Sequence, residues 1–172
     1  VEALKKKYGS YKGSIVEIQG TIGASVTVDR HNGFMEIIDK YPNIKVVASQ
    51  SGNFARDTAM NIMQDWLQAF PKGKIDAVYC HNDEEGIGAL AAIKGARRNE
   101  ILGYIAVIDG QVQALEAVLS GEFLVSVQNP PYFAEPCFTS AFKYLEGYHL
   151  PANQLVPFKI FHAQDPKAKA MT

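Results

Sequence analysis

Five residues, Arg30, Phe54, Asn82, Asp109 and Gln128, could together hold a small polar molecule. Arginine carries a planar fork that donates to two vicinal hydroxyls at once. A carboxylate such as Asp109 accepts two hydroxyl hydrogen bonds. The amides of Asn82 and Gln128 each offer a donor and an acceptor. The ring of Phe54 can cover the apolar C–H face of a sugar ring. One charged donor, one charged acceptor, two amides and one aromatic platform suit a neutral polyhydroxylated ligand, which needs all three kinds of contact.

Each residue also has a plainer reading. Arg30 would be a solvated surface side chain, Phe54 a staple on the following helix, and Asp109 a helix N-cap. The dipole of the helix they enter explains Asp83, Glu84 and Glu85, because it favours negative charge at its start. Asn82 is left free as donor and acceptor. Placement favours the joint reading. Short apolar runs end just before these positions: Ser14–Gln19 before Gly20 and the turn to Asp29-Arg30, Ile44–Gln50 before Asn53-Phe54, Ala77–His81 before Asn82, Tyr104–Ile108 before Asp109, and Leu124–Val127 before Gln128.

Stretches of helical spacing separate these runs, so the expected fold is α/β: a three-layer parallel sheet with helices on both faces. In such sheets ligands sit outside the carboxyl ends of the strands, so all five residues would face one pocket. Residues 1–8 read as the end of a helix. Ser25 is an N-cap candidate, and its helix runs to about Asp39 with Phe34, Ile37 and Ile38 inward. The clearest helix, about Ala55 to Phe70, repeats Ala59, Ile62, Met63, Trp66, Leu67 and Phe70 at helical spacing. A further helix ends near Arg98, and another carries Val112, Leu115, Val118 and Leu119. Asn129-Pro130-Pro131 is a rigid break. A helix from about Phe133 to Glu146, a strand from Val156 to Phe161 and a polar tail from Ala163 complete the chain.

Composition narrows the classes. Of 172 residues 47% are hydrophobic and 20% charged, enough for a buried core, and the net charge of -1 gives no reason to expect nucleic-acid binding. No run of about 18 apolar residues occurs. Cys80 and Cys137 read as two buried free thiols. Gly20-x-x-Gly23 fits a tight turn better than a phosphate cradle, since it lacks the dinucleotide and phosphate-loop patterns. Cys80 to Glu85 contains metal-capable side chains, but neighbours on a strand diverge and no partner cluster has ligand spacing. No Gly-x-Ser-x-Gly elbow is present. No catalytic residue, metal or cofactor is expected.

Several segments carry a resemblance. Glu17-Ile18-Gln19-Gly20-Thr21-Ile22-Gly23-Ala24-Ser25 through Asp29-Arg30-His31-Asn32-Gly33-Phe34 is similar to the periplasmic sugar-binding proteins of the ribose-binding type. Ser49–Arg56, His81–Glu84 with Ile87-Gly88-Ala89, and Ile108-Asp109-Gly110 strengthen the match. The wording resembles most the galactofuranose-binding proteins of ABC importers. The resemblance implies a Rossmann-like lobe of a type I periplasmic binding protein, with Arg30, Phe54, Asn82, Asp109 and Gln128 at the sugar contacts.

Such proteins have two lobes, and the resemblance places residues 1–128 in the C-terminal one. It implies that 129–162 return to a missing N-terminal lobe and that 163–172 form a tail. The apolar face of Phe133, Cys137, Phe138, Ala141, Tyr144 and Leu145 then lacks its partner. The chain is therefore expected to be a fragment that dimerises, swaps elements or leaves this helix loosely packed. The implied function is the solute-binding component of an ABC-type sugar importer. It would hold a monosaccharide (galactofuranose, ribose or a related sugar) between lobes and dock on a membrane permease. The implied location is periplasmic, or extracytoplasmic and lipid-anchored in a Gram-positive host. The alternative is the effector domain of a sugar-responsive repressor of the lac repressor type, which shares the fold.

Overall fold

The computed structural model describes residues 1–163; the expected tail lies outside the described residues beyond Ala163. Helix α1 (Glu2–Tyr8) stops at Gly9 in the left-handed conformation. Strand β1 (Gly13–Gln19) is followed by α2 (Ser25–Ile38), β2 (Ile44–Ser51), α3 (Arg56–Ala69), β3 (Ala77–Cys80), α4 (Asp83–Gly95), β4 (Ile105–Asp109), α5 (Val112–Leu119) and β5 (Val125–Gln128). The strands lie in the order β2-β1-β3-β4-β5, all parallel. The chain moves outward from β1 in both directions, so the edge between β1 and β3 is a topological switch point.

The main core lies between the sheet and α3, α4 and α5, with Val16, Ile18, Met63, Trp66, Val78 and Ile93 buried. Helices α3 and α4 approach closely at Gly88, where an added Cβ would come within 2.1 Å of the Arg56 carbonyl oxygen. On the other face α1 and α2 enclose a smaller cluster of Leu4, Ile15, Ile38 and Ile44. Cover is thinner here. A groove of about 640 Å³ remains, lined among others by Leu4, Phe34, Tyr104, Leu124 and Val127.

Four details differ from the sequence reading. Helix α2 starts at Ser25 itself, with Ala24 as its N-cap and no side-chain cap bond. Ile37 is exposed, because Thr27, Phe34 and Ile38 make the inward stripe and Ile37 falls beside it. Cys80 is buried but Cys137 is exposed, since α6 (Ala134–Leu145) buries none of its residues. The last strand, β6, is only Ile160–His162 and runs antiparallel to β5, which makes the sheet mixed and six-stranded.

Phe161 explains β6: it is fully buried and packs with Leu115 and Leu119 of α5. Helix α6, by contrast, leaves Phe138, Phe142 and Leu145 between 63% and 79% exposed. Two substitutions separate these environments. Phe161→Ala should lower stability by about 3 kcal/mol through the cavity it leaves. Phe142→Ala should change it by less than about 0.5 kcal/mol. Urea unfolding of both variants is the check, and equal effects would contradict the placement of β6.

Candidate functional site

The parallel register brings the strand ends level. Ile18 pairs with Cys80, Gln19 with Ser51, and Asp109 with Gln128. The residues just beyond these ends therefore share one edge, which the switch point opens into a crevice.

Arg30 is the hub of that edge. It sits in α2, and its Nη1 donates to the His81 carbonyl oxygen at 2.5 Å while Nη2 reaches Asp109 Oδ1 at 3.4 Å. Its guanidinium carbon lies 5.8 Å from the centre of the Phe54 ring, within range of a cation–π contact. With five N–H donors available, the fork keeps donors for a ligand after these two contacts. Asp109 is thus tied to Arg30 rather than capping α5, whose N-cap is Gln111. Burial raises the Asp109 carboxyl, against the pull of the Arg30 charge and hydrogen bond.

Asn82 is more committed than the sequence reading allows. It is buried and caps α4: Oδ1 accepts from the Glu85 backbone N–H at 2.9 Å, and the Glu85 carboxylate accepts from the Asn82 N–H at 3.2 Å. Its Nδ2 also donates to the Phe54 carbonyl oxygen at 3.3 Å. What remains for a ligand is the second amide N–H and one lone pair of Oδ1. Gln128 borders a cleft of about 340 Å³ that it shares with Arg30, Ile108, Asn129 and Phe133.

Phe54 occupies an unusual backbone conformation. Both Asn53 and Phe54 have φ of 58°, the left-handed region that non-glycine residues rarely adopt. Two contacts hold the loop there. The Phe54 N–H donates to Glu85 Oε1 at 2.9 Å, and Thr21 Oγ1 donates to Asn53 Oδ1 at 2.7 Å. The ring lies against Gly20, where an added Cβ would fall 1.9 Å from Phe54 Cζ. Gly20 therefore makes room for the aromatic platform as well as ending β1.

Three acids, Glu17, Asp83 and Glu85, lie beneath the edge with no solvent exposure. Sequence reasoning missed them as parts of the site. The helix dipole is only part of the account of Asp83 and Glu85. Asp83 accepts from the Gln111 N–H at 2.6 Å and from Ser126 Oγ at 2.9 Å, which pins the turn after Asp109. Glu84, the one between them, points outward and pairs with Arg56 of α3. The Asn-x-x-Glu spacing of a capping box was the signal for Glu85. A charge inside the apolar run of β1 was the signal for Glu17.

Burial pushes Glu85 up to about 7, outweighing the backbone N–H bonds from Phe54, Asn82 and His81. Burial likewise pushes Asp83 up to about 6, against its bonds to Gln111 and Ser126. Burial would raise Glu17 too, but hydrogen bonds from His81, Gln19, Ser49 and His31 together hold it at about 2.

Comparisons with known proteins agree with this fold. Residues 1–149 match the family described as periplasmic binding protein domain. The chain is 41% identical over 143 residues to the galactofuranose-binding protein YtfQ of Escherichia coli strain K12, covering 80% of this chain and 44% of that protein. It is 43% identical over 119 residues to a xylitol-binding protein of Mycolicibacterium smegmatis, covering 69% of this chain and 33% of that one. Among solved structures, the periplasmic binding protein component of the arabinose ABC transporter from Shewanella sp. ANA-3, bound to α- and β-L-arabinofuranose, superposes with a TM-score of 0.86. It is 33% identical, over 99% of this chain and 56% of that one. The fold is that of the type I periplasmic binding proteins. The chain belongs to the periplasmic binding protein family, whose members bind ligands and are not enzymes. It spans less than half the length of the two curated relatives described above.

Gly20→Ala should destabilise the chain when Phe54 is present and have little effect in a Phe54→Ala background, because the clash is with that ring. A double-mutant cycle by thermal unfolding reads this coupling, and additive effects would refute it. Glu85 and Asp83 have raised native values, so their stability contribution is full below their ordinary range and lost as pH rises through about 6 and 7. Glu17 is lowered, so its contribution is present above its ordinary value and lost as pH falls toward 2. Melting temperature should therefore peak near about pH 4 to 5 and decline toward neutrality. Glu85→Gln should flatten the upper limb, and a melting temperature that climbs from acid to neutral pH would contradict both assignments.

Proposed function

We propose that this chain forms one wall of a sugar-binding cleft, in the solute-binding component of an ABC-type importer. The observation that supports this best is the arrangement around Arg30. A charged fork, a carboxylate 3.4 Å from it and an aromatic ring 5.8 Å away share one edge of the sheet. That combination suits vicinal hydroxyls on a ring with one apolar face. Asn82 and Gln128 would add amide contacts on either side. The ligand would be a monosaccharide, with galactofuranose, ribose and related sugars as candidates. The related proteins described above, whose names specify galactofuranose, xylitol and arabinofuranose, support that class.

On this reading a second wall completes the cleft, and closure of the two traps the sugar and presents the closed form to a membrane permease. Helix α6, with its exposed apolar face, would pack on that second wall, so that residues 129–145 leave this lobe and β6 rejoins it. The protein would work in the periplasm, or anchored outside the cytoplasmic membrane.

One wall alone should bind weakly. Titration of this chain with D-galactofuranose, D-ribose and D-galactose up to tens of millimolar, followed by ¹⁵N NMR, should shift the signals of Arg30, Phe54, Asn82, Asp109 and Gln128 for at least one sugar. No shifts at these residues with any of the three would reject the site. Micromolar or tighter binding in calorimetry would reject the half-cleft.

A further inference from the structure

Glu17 touches none of the cleft, yet it lies beneath its hub. It stands in the middle of β1 on the face toward α2, fully buried. A carboxylate there is costly unless paired and hydrogen-bonded, and four groups supply the partners. His81 Nε2 lies 3.1 Å from Oε1, and His31 Nδ1 lies 2.9 Å from the same oxygen. Ser49 Oγ donates to Oε2 at 2.7 Å and Gln19 Nε2 at 2.9 Å. A well-packed apolar residue would often serve stability equally well at such a place. The carboxylate therefore calls for an account beyond packing.

Its partners provide one. His81 is the residue whose carbonyl oxygen accepts Arg30 Nη1. It follows the last residue of β3, and its backbone N–H donates to the Ile18 carbonyl oxygen of β1 at 2.9 Å. His31 is the next residue after Arg30 in α2. Tyr79, paired with Glu17 in the sheet register, donates its hydroxyl to the Arg30 carbonyl oxygen at 3.4 Å. Arg30 is thus held at its backbone, by Tyr79 and through its neighbour His31, and at its guanidinium, by the His81 carbonyl oxygen. Glu17 joins the two grips.

The protonation pattern is specific. His81 Nδ1 is buried and has no hydrogen-bond partner among the described residues. An N–H at that atom would be an unsatisfied donor, so the ring proton belongs on Nε2, facing Glu17. His31 then donates from Nδ1.

We propose that Glu17 is a positioning residue for ligand recognition: one buried carboxylate fixes both the helix turn that carries Arg30 and the strand end that accepts its guanidinium. It thereby sets the direction in which the remaining guanidinium donors face the cleft. This rests on the reading of Arg30 as a sugar contact.

The test uses the 172-residue chain without sugar, with ¹⁵N NMR of arginine side chains and histidine rings. In the natural sequence Arg30 should give separate Nη signals from restricted rotation, and His81 should carry its proton on Nε2. Glu17→Gln keeps the shape but leaves one acceptor oxygen where there were two. It should merge the Arg30 Nη signals and change the histidine pattern. A folded Glu17→Gln chain with Arg30 signals like the natural ones overturns the proposal. Should Glu17→Gln fail to fold, Ser49→Ala and His31→Phe each remove one donor from the network's outer edge. Both should broaden the Arg30 signals, and no change in either overturns the proposal. Val16→Ala truncates the other face of the same strand, and it should lower stability without merging the signals. Merging there would mean general loosening and would also overturn the proposal. Titrating the same samples with the three sugars separates the two ideas. An Arg30 that responds to Glu17 but to no sugar rejects the sugar site alone. An Arg30 that responds to sugar but not to Glu17 rejects the positioning role alone.

Discussion

Three carboxyl groups removed from water, Glu17, Asp83 and Glu85, organise this fold. A buried carboxylate needs donors, and here most of the donors belong to segments that carry the site. Glu85 takes the N–H groups of Phe54 and Asn82. Asp83 takes the N–H of Gln111 and the hydroxyl of Ser126. Glu17 takes His81 and His31, the residues on either side of the Arg30 contact. Satisfying the core and shaping the cleft edge are therefore one problem. The arrangement also explains how strained backbone persists. Asn53 and Phe54 at φ of 58° and Asp109 at φ of 135° are disfavoured conformations, and such strain survives only where surrounding bonds over-determine it.

The sheet decides where those bonds can act. Because β1 is an interior strand and the chain winds outward from it both ways, the loops after β1 and β3 diverge and leave a gap. Arg30 fills that gap from α2, and its fork spans to the ends of β3 and β4. The two faces of the sheet are unequal. Helices α3, α4 and α5 cover one with a continuous core. The other keeps an open apolar groove, and α6 buries none of its residues. The continuous core thus lies on the face covered by α3, α4 and α5.

Much of this was legible in the sequence because period and punctuation agreed. The apolar runs gave the strands, and Ala59, Ile62, Met63 and Trp66 gave a core helix that is buried as expected. Local spacing also placed Arg30, Phe54 and Asp109 at one edge, since strand ends in a parallel sheet are level. What escaped was whatever depends on a partner far along the chain. Nothing near Gly20 announces that a ring 34 positions on will lie against it. Asn82 was read as free because its capping role needs Glu85 to turn inward, and charge alone suggested the opposite. Phe161 was visible as apolar, but its antiparallel seat on β5 depends on α5 offering Leu115 and Leu119. Ile37 and Cys137 failed for a simpler reason. An apolar type on a helix says that a face exists, not that something covers it.

The half-cleft geometry has a physical consequence if the sugar reading holds. Hydroxyls that meet Arg30, Asp109 and the two amides exchange bonds with water for bonds with protein, and such exchange gains little while the site stays wet. The same contacts strengthen once water is excluded and the local dielectric falls. An open edge can therefore choose the orientation of a ring without holding it tightly. Affinity would come from whatever covers the other side of the ring, and it would be realised only in the closed arrangement. That is the condition for a ligand to drive closure, because it must favour the closed state over the open one. A wall that already bound tightly when open would have less to gain from closing. The hydrogen-bond network beneath Arg30 would fit this division: by keeping the donors aimed in the open state, it would leave closure only to exclude water.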